Sequence, residues 1–325
     1  MKLSSLLEAP HILVDFLGYM QTVKGKSPKT VDEYYIDLRT FFRYIKYAKK
    51  LVPENILFEE ISINDVDIEL LKTITLTDLY EYLNYLLVER KNKAATRSRK
   101  ISSLKSFFNY LTNKVGLLQT NPTIELDMPK KKSALPKFLT LEQSIDLLNC
   151  VNGPFKERDY CILTLFLNCG IRLSELVGIN LSDIKSDKTL RLTGKGNKER
   201  IIYLNDACLN AIEQYLNVRP RINLKDRNAL FISKFNKRIS PKTVQYIVKK
   251  YLARIELDQQ GYSVHKLRHT AATLMYQHGE VDIRILKDIL GHSNLGTTEI
   301  YTHISNKQIE KAVSANPLAK MKSKK

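Results

Sequence analysis

Tyr301 closes the stretch GHSNLGTTEIYTH (residues 291–303), downstream of His265, Arg268 and within nine residues of His292. A tyrosine accompanied by two histidines and an arginine suits one chemistry, a phenol attacking phosphorus. Cleaving a phosphodiester without a metal takes a nucleophile, cations that neutralise the pentacovalent transition state, and an acid for the departing alkoxide. The chain offers a candidate for each. Arg172 and Arg268 can each grip two non-bridging oxygens with a planar fork, which a lysine cannot. Lys195, set between Gly194 and Gly196, has the reach and freedom of a proton donor on a turn tip. His265 lies one helical turn before Arg268, so the two share a helix face.

Helix punctuation supplies the means of positioning these groups. Ser263 is a good cap that places His265 in a first turn, where backbone N–H groups favour a phosphate. Gly291 reads as a helix terminator directly before His292, and Thr297 and Thr298 can cap a short helix carrying Tyr301. Singly, each residue has a bland reading: Arg172 as a surface ion-pair partner, the Gly-Lys-Gly tip as a mere turn, Tyr301 as core or rim. His269 and His303 read as structural, His11 and His278 as surface. The weight rests on the set.

The elements behind the set are mostly helices. Val31, Tyr34, Tyr35, Leu38, Phe41, Phe42 and Ile45 recur at intervals of three and four, which predicts a helix over residues 28–48. Further helices are predicted over 77–91 and 94–113. The latter sets Arg97, Arg99, Lys100 and Lys105 opposite Ile101, Leu104, Phe107, Phe108 and Leu111, one face for packing and one offered to phosphates. Prolines 122, 129 and 136 around Lys130, Lys131 and Lys132 then break the periodicity and read as an extended basic linker suited to a nucleic-acid backbone. The expected domains are therefore 1–127, helical, and 138–325, joined by a linker over 128–137. In the second, 141–149 and 157–168 are predicted helical, residues 181–204 change to a strand period with a glycine-rich hairpin tip, and the remainder returns to helix. The fold class is mainly α with a small antiparallel β-sheet, an α+β chain.

Composition agrees. Fifty-two Lys+Arg against 34 Asp+Glu leave +18 on 325 residues, which favours a polyanionic partner, while 43% hydrophobic residues make a chain that folds. No secretory pattern and no apolar run of about 20 residues is present, so the expected location is the cytosol. Cys150, Cys161, Cys169 and Cys208 lack C-x-x-C spacing and read as buried reduced thiols. Gly25-Lys26-Ser27 has Met20 where a P-loop needs glycine, Gly194-Lys195-Gly196 lacks the third glycine of a dinucleotide fingerprint, and no zinc-ligand or two-metal spacing appears. No metal and no cofactor is expected.

These stretches together resemble the tyrosine recombinases (phage integrase family), in particular the Xer-like branch. The resemblance is carried by CGIRLSEL around Arg172 and Glu175, GKGNKER from Gly194 to Arg200, HKLRHTAAT from His265, and LGH at His292 through TEIYTH at Tyr301. It implies an N-terminal core-binding domain and a C-terminal catalytic domain. It also implies that Tyr301 forms a 3′-phosphotyrosyl bond to DNA and frees a 5′-hydroxyl. Arg172, His265, Arg268 and His292 would bind the phosphate, with His265 at the family's acid/base position; Lys195 would protonate the leaving oxygen and Glu175 would orient the basic cluster. The partners implied are a double-stranded DNA recombination site and the other subunits of a homo- or hetero-tetramer, docked through a C-terminal segment (305–319). A DNA translocase is a further candidate partner; a membrane is not. DNA would lie in a clamp between the two domains, with Arg97, Arg99, Lys100, Lys105 and Lys130, Lys131 and Lys132 on its backbone.

Three readings remain beside Xer-type resolution of chromosome or plasmid dimers. An integrase or excisionase of a mobile element shares the active site but adds an N-terminal arm-site domain, for which residues 1–25 are short. A catalytically silent DNA-binding relative would not need the full set of active-site residues. A type IB topoisomerase would relax one duplex without pairing two.

Overall fold

The structure, a computed structural model, describes residues 8–129, 137–194, 199–278 and 281–291, except the side chain of residue 283. The chain divides into two compact units, Met1–Ser133 and Ala134–Lys325. It is mainly helical with one two-stranded antiparallel sheet among the described residues.

The first unit consists of α1 (His11–Thr22), α2 (Pro28–Ala48), α3 (Ile68–Lys72), α4 (Leu76–Val88) and α5 (Ala94–Asn113). Start signals set the boundaries: the Ser27 hydroxyl accepts from the Thr30 N–H ahead of Pro28, and Thr75 and Asp78 cap α4 reciprocally. Helix α1 was not expected, because it starts after Pro10 with no side-chain cap. Its Phe16 meets Phe107 edge-on at 5.2 Å, and Phe41 and Tyr82 pack likewise at 5.1 Å, so aromatic edges fill this core.

A buried carboxylate ties two helices of this unit together. Asp37 of α2 is 2% exposed and accepts hydrogen bonds from Arg99 Nη1 at 2.5 Å, Lys100 Nζ at 3.1 Å and Ser103 Oγ at 2.9 Å, all on α5. This corrects the expectation that Lys100 shares the open face of α5 with its cationic neighbours. Lys100 is buried, and its charge is committed to Asp37. Arg99, by contrast, keeps two-fifths of its side chain exposed while holding the same carboxylate.

The second unit is organised round α7 (Lys156–Cys169), buried on almost every side and preceded by α6 (Leu141–Asn149). The short α8 (Leu173–Gly178) follows. Strands β1 (Thr189–Thr193) and β2 (Glu199–Tyr203) pair antiparallel in register, from Thr189 opposite Tyr203 to Thr193 opposite Glu199. Leu190, Leu192 and Ile202 face the core, whereas Ile201 and Tyr203 face out, as period-two alternation requires. Helices α9 (Asp206–Val218), α10 (Pro241–Arg254), α11 (Val264–His278) and α12 (Ile283–Leu290) complete it. Asn205, Ser240 and Asp282 cap three of these. Cys161, Cys169 and Cys208 are buried and Cys150 half-buried, and none forms a disulfide. Among the described residues no helix is long and apolar enough to cross a membrane.

Removing Asp37 would leave the Lys100 charge in the core without its carboxylate. Asp37→Ala should lower unfolding free energy by about 3 kcal/mol or more in denaturant titration, whereas truncating the half-exposed Arg99 should cost only about 1 kcal/mol. Equal, small effects would contradict the assignment.

Candidate active site

The site grows from the end of α7. Gly170 closes that helix at φ +57°, and a Cβ there would lie 2.8 Å from Leu290 Cδ2, so both conformation and packing select glycine. The turn delivers Arg172 to the start of α8. Its backbone N–H donates to Glu175 Oε2 at 2.8 Å, its Nη1 to Glu175 Oε1 at 2.7 Å and its Nη2 to the Gly291 carbonyl at 2.7 Å. From β2, Arg200 Nη2 donates to Glu175 Oε2 at 2.7 Å, and Nη1 donates to the Ile289 carbonyl. From α11, the buried Arg268 donates from Nη1 to the Gly170 carbonyl at 2.6 Å and from Nη2 to the Leu290 carbonyl at 2.5 Å.

Three consecutive carbonyls at the end of α12, those of Ile289, Leu290 and Gly291, thus each accept from a different arginine. A helix C-terminus has unsatisfied carbonyls and the negative end of the helix dipole, so it is a natural seat for guanidinium groups. Gly291 fits because its φ is +62° and because a Cβ would meet Arg200 Cδ at 2.9 Å.

Glu175 balances this concentration of charge. Its side chain is 1% exposed. Burial alone would raise its pKa, but the hydrogen bonds and charges of Arg200 and Arg172 outweigh that and hold it below the ordinary carboxylate range. His265 is lowered too, which for a base favours the neutral form: partial burial, then the charges of Arg268, Lys266 and Arg172, reduce its proton affinity. Its Nε2 lies 3.1 Å from Nε2 of His269, one turn on. A cavity of about 1000 Å³ opens here, with Arg172, His265, Arg268 and His269 on one wall and Gln245 and Lys249 of α10 on another. No group of three His, Cys, Asp or Glu side chains that could hold a metal ion occurs among the described residues.

Of the residues singled out from sequence, Arg172, Glu175, His265 and Arg268 therefore come together. Lys195, His292 and Tyr301 lie outside the described residues, as do Lys130, Lys131, Lys132 and the segment 305–319. On α5, Arg97 Nη1 donates to the Asn92 carbonyl at 2.7 Å and the exposed Lys105 ammonium approaches the Ile124 carbonyl at 3.5 Å. Sequence reasoning gave Arg200 no role, although it alternates with Ile202 on the inward face of β2, and a cation on that face needs a buried partner. His269 was set aside as structural, although the four-residue spacing from His265 places both on one face.

Phage integrase family sequence features match residues 137–308, and those of the phage integrase N-terminal SAM-like domain match residues 12–115. The chain belongs to the phage integrase family, and it is a site-specific tyrosine recombinase. It is 56% identical over 313 residues to tyrosine recombinase XerC of Caldanaerobacter subterraneus subsp. tengcongensis, covering 96% of this chain and 88% of the relative. To XerC of Natranaerobius thermophilus it is 36% identical, over 90% of this chain and 94% of that one. Its fold is that of the XerH site-specific recombinase in a post-cleavage complex with a palindromic difH substrate, at TM-score 0.70 and 20% identity, covering 93% of this chain and 84% of that chain.

Glu175→Gln keeps the shape but removes the charge between two guanidinium groups, and should destabilise the protein by about 3 kcal/mol at neutral pH. Because the folded pKa is depressed, the carboxylate's contribution is fully present above its unfolded value of about 4.3 and is lost as pH falls through the lower folded value. Denaturation from pH 7 downward should show wild type and variant converging only below about 4.3. A gap that persists unchanged into strong acid would contradict this.

Proposed function

We propose that the cluster grips one DNA phosphate while Tyr301 attacks it. The guanidinium forks of Arg172 and Arg268, with His265 and His292, neutralise the non-bridging oxygens as the phosphorus becomes pentacovalent. Lys195 protonates the departing 5′ oxygen. The product is a 3′-phosphotyrosyl bond and a free 5′-hydroxyl, and a 5′-hydroxyl from a partner strand reverses the attack. The phosphotyrosine conserves the energy of the broken ester, so strand rejoining needs no ATP. The observation that carries this reading is the convergence on one cavity of Arg172, from the start of α8, with His265 and Arg268 of α11, Glu175 holding Arg172.

The substrate is a double-stranded recombination site, and the role is Xer-type resolution of chromosome or plasmid dimers. The likeness to XerC relatives over nearly the whole chain supports it, as does the XerH fold, seen with its difH substrate. Residues 1–127 bind DNA as the core-binding domain, 128–137 link, and 138–325 catalyse. Arg97, Arg99 and Lys105 with Lys130, Lys131 and Lys132 hold backbone phosphates, while Lys100 stays buried on Asp37. Four subunits, alike or of two kinds, pair two duplexes through residues 305–319, in the cytoplasm at the nucleoid, where a DNA translocase activates them.

On a nicked suicide duplex the wild type should form a covalent adduct resolved on a denaturing gel, and Tyr301→Phe should form none while still binding. An undiminished adduct would assign the nucleophile elsewhere. Arg172→Lys, which keeps the charge but loses the fork, should slow adduct formation by about 100-fold or more with duplex affinity within a few fold. A loss of only a few fold would place Arg172 among ordinary surface ion pairs. A plasmid carrying two sites then separates recombination from relaxation, and resolution into two circles is expected.

A further inference from the structure

Two imidazoles stand together on the wall of the cavity. His265 and His269 have ring centroids 4.5 Å apart at an interplanar angle of 77°, with Nε2 facing Nε2 at 3.1 Å. At that separation the contact is a hydrogen bond only when one nitrogen carries a hydrogen and the other offers its lone pair. Two imidazolium rings would oppose both hydrogens and charges, so the pair holds at most one positive charge.

The surroundings set the charge of His265. Arg172 faces His265 from the start of α8, Lys266 and Arg268 from α11 itself, and Lys249 lines the cavity from α10. Tyr262 lines it from the segment before α11, and Asp258, in the turn before that, is the one carboxylate among the lining residues. Burial and the cations Arg268, Lys266 and Arg172 disfavour a second proton on His265, so that ring carries a single N–H; with that N–H at Nδ1 for a phosphate oxygen, its Nε2 is the acceptor in the 3.1 Å contact and the hydrogen there comes from His269.

We propose that His269 is a positioning residue for His265: its Nε2–H donates to Nε2 of His265 and fixes that ring as the Nδ1–H tautomer. His265 then meets a phosphate oxygen as a hydrogen-bond donor through Nδ1, without needing to be charged. The inference rests on the reading that this cavity receives the scissile phosphate, but the tautomer itself is a property of the free protein. A histidine that merely packed against its neighbour would leave the tautomer of His265 indifferent to its removal.

The test uses the full chain with ¹⁵N-labelled histidine, three side chains at position 269 and the nicked suicide duplex. Nitrogen shifts at neutral pH should report His265 as Nδ1–H in the wild type and in His269→Gln, whose amide N–H can replace the donor. In His269→Phe they should report Nε2–H, the form that free imidazole side chains favour in water. Single-turnover adduct formation should fall about tenfold in His269→Phe, with duplex affinity within twofold, and recover to within about threefold of wild type in His269→Gln. The wild-type acid limb should lie below the ordinary imidazole value of about 6.5, because activity ends when the pair takes its second proton. An Nε2–H form of His265 in the wild type overturns the proposal, as does an unchanged tautomer or an unchanged cleavage rate in His269→Phe. If His269→Phe does not fold, the wild-type shifts and His269→Gln decide it. A wild type that forms no adduct removes the recombinase reading while leaving the tautomer measurement intact.

Discussion

A single buried carboxylate makes the cluster possible. Glu175 accepts from Arg172 through both backbone and side chain and from Arg200 through the second oxygen, so two guanidinium groups that would otherwise repel share one compensating charge. With that charge in place, the three terminal carbonyls of α12 complete the seat, each holding one arginine. Everything chemical follows from this arrangement. Removing the carboxylate would leave an uncompensated cationic pair in a poorly solvated place, which is among the most destabilising changes a protein can suffer.

The first unit uses the same device on a smaller scale. Asp37 is buried between α2 and α5, seats Lys100 wholly and Arg99 only in part, and leaves the Arg99 guanidinium partly in solvent. In both units an acid inside the fold determines where a cation outside it can point. Such a side chain is pre-organised, so fewer rotamers are lost when a phosphate arrives.

Much of this was legible beforehand. Helices α2 and α5 carry apolar residues at three- and four-residue spacing, and α2 and α6 start at capping hydroxyls, so these elements follow from pattern, and the antiparallel hairpin follows from a change to period two. Arg172, Glu175, His265 and Arg268 stood out because their types are expensive to bury without purpose and occur at motif spacing. What was not legible depends on partners distant in sequence. Helix α1 lacks a capping side chain and has no local signal of its start. Lys100 looks like one more surface cation until Asp37, 63 residues earlier, is placed against it. Arg200 needs Glu175, 25 residues before it, and the end of α12, 89 residues after it. His269 is the exception, since its four-residue spacing from His265 puts both rings on one helix face and is legible from sequence alone.

The central claim is that the guanidinium groups of Arg172 and Arg268 act on the charge of a phosphate. It is tested most directly by replacing the scissile phosphate with a neutral methylphosphonate and measuring covalent adduct formation by the wild type, Arg172→Ala and Arg268→Ala. If the arginines neutralise non-bridging oxygens, the neutral linkage removes the need for them, and each variant should gain about tenfold or more relative to wild type on the modified strand. Variants that remain as impaired on methylphosphonate as on phosphate would contradict the account.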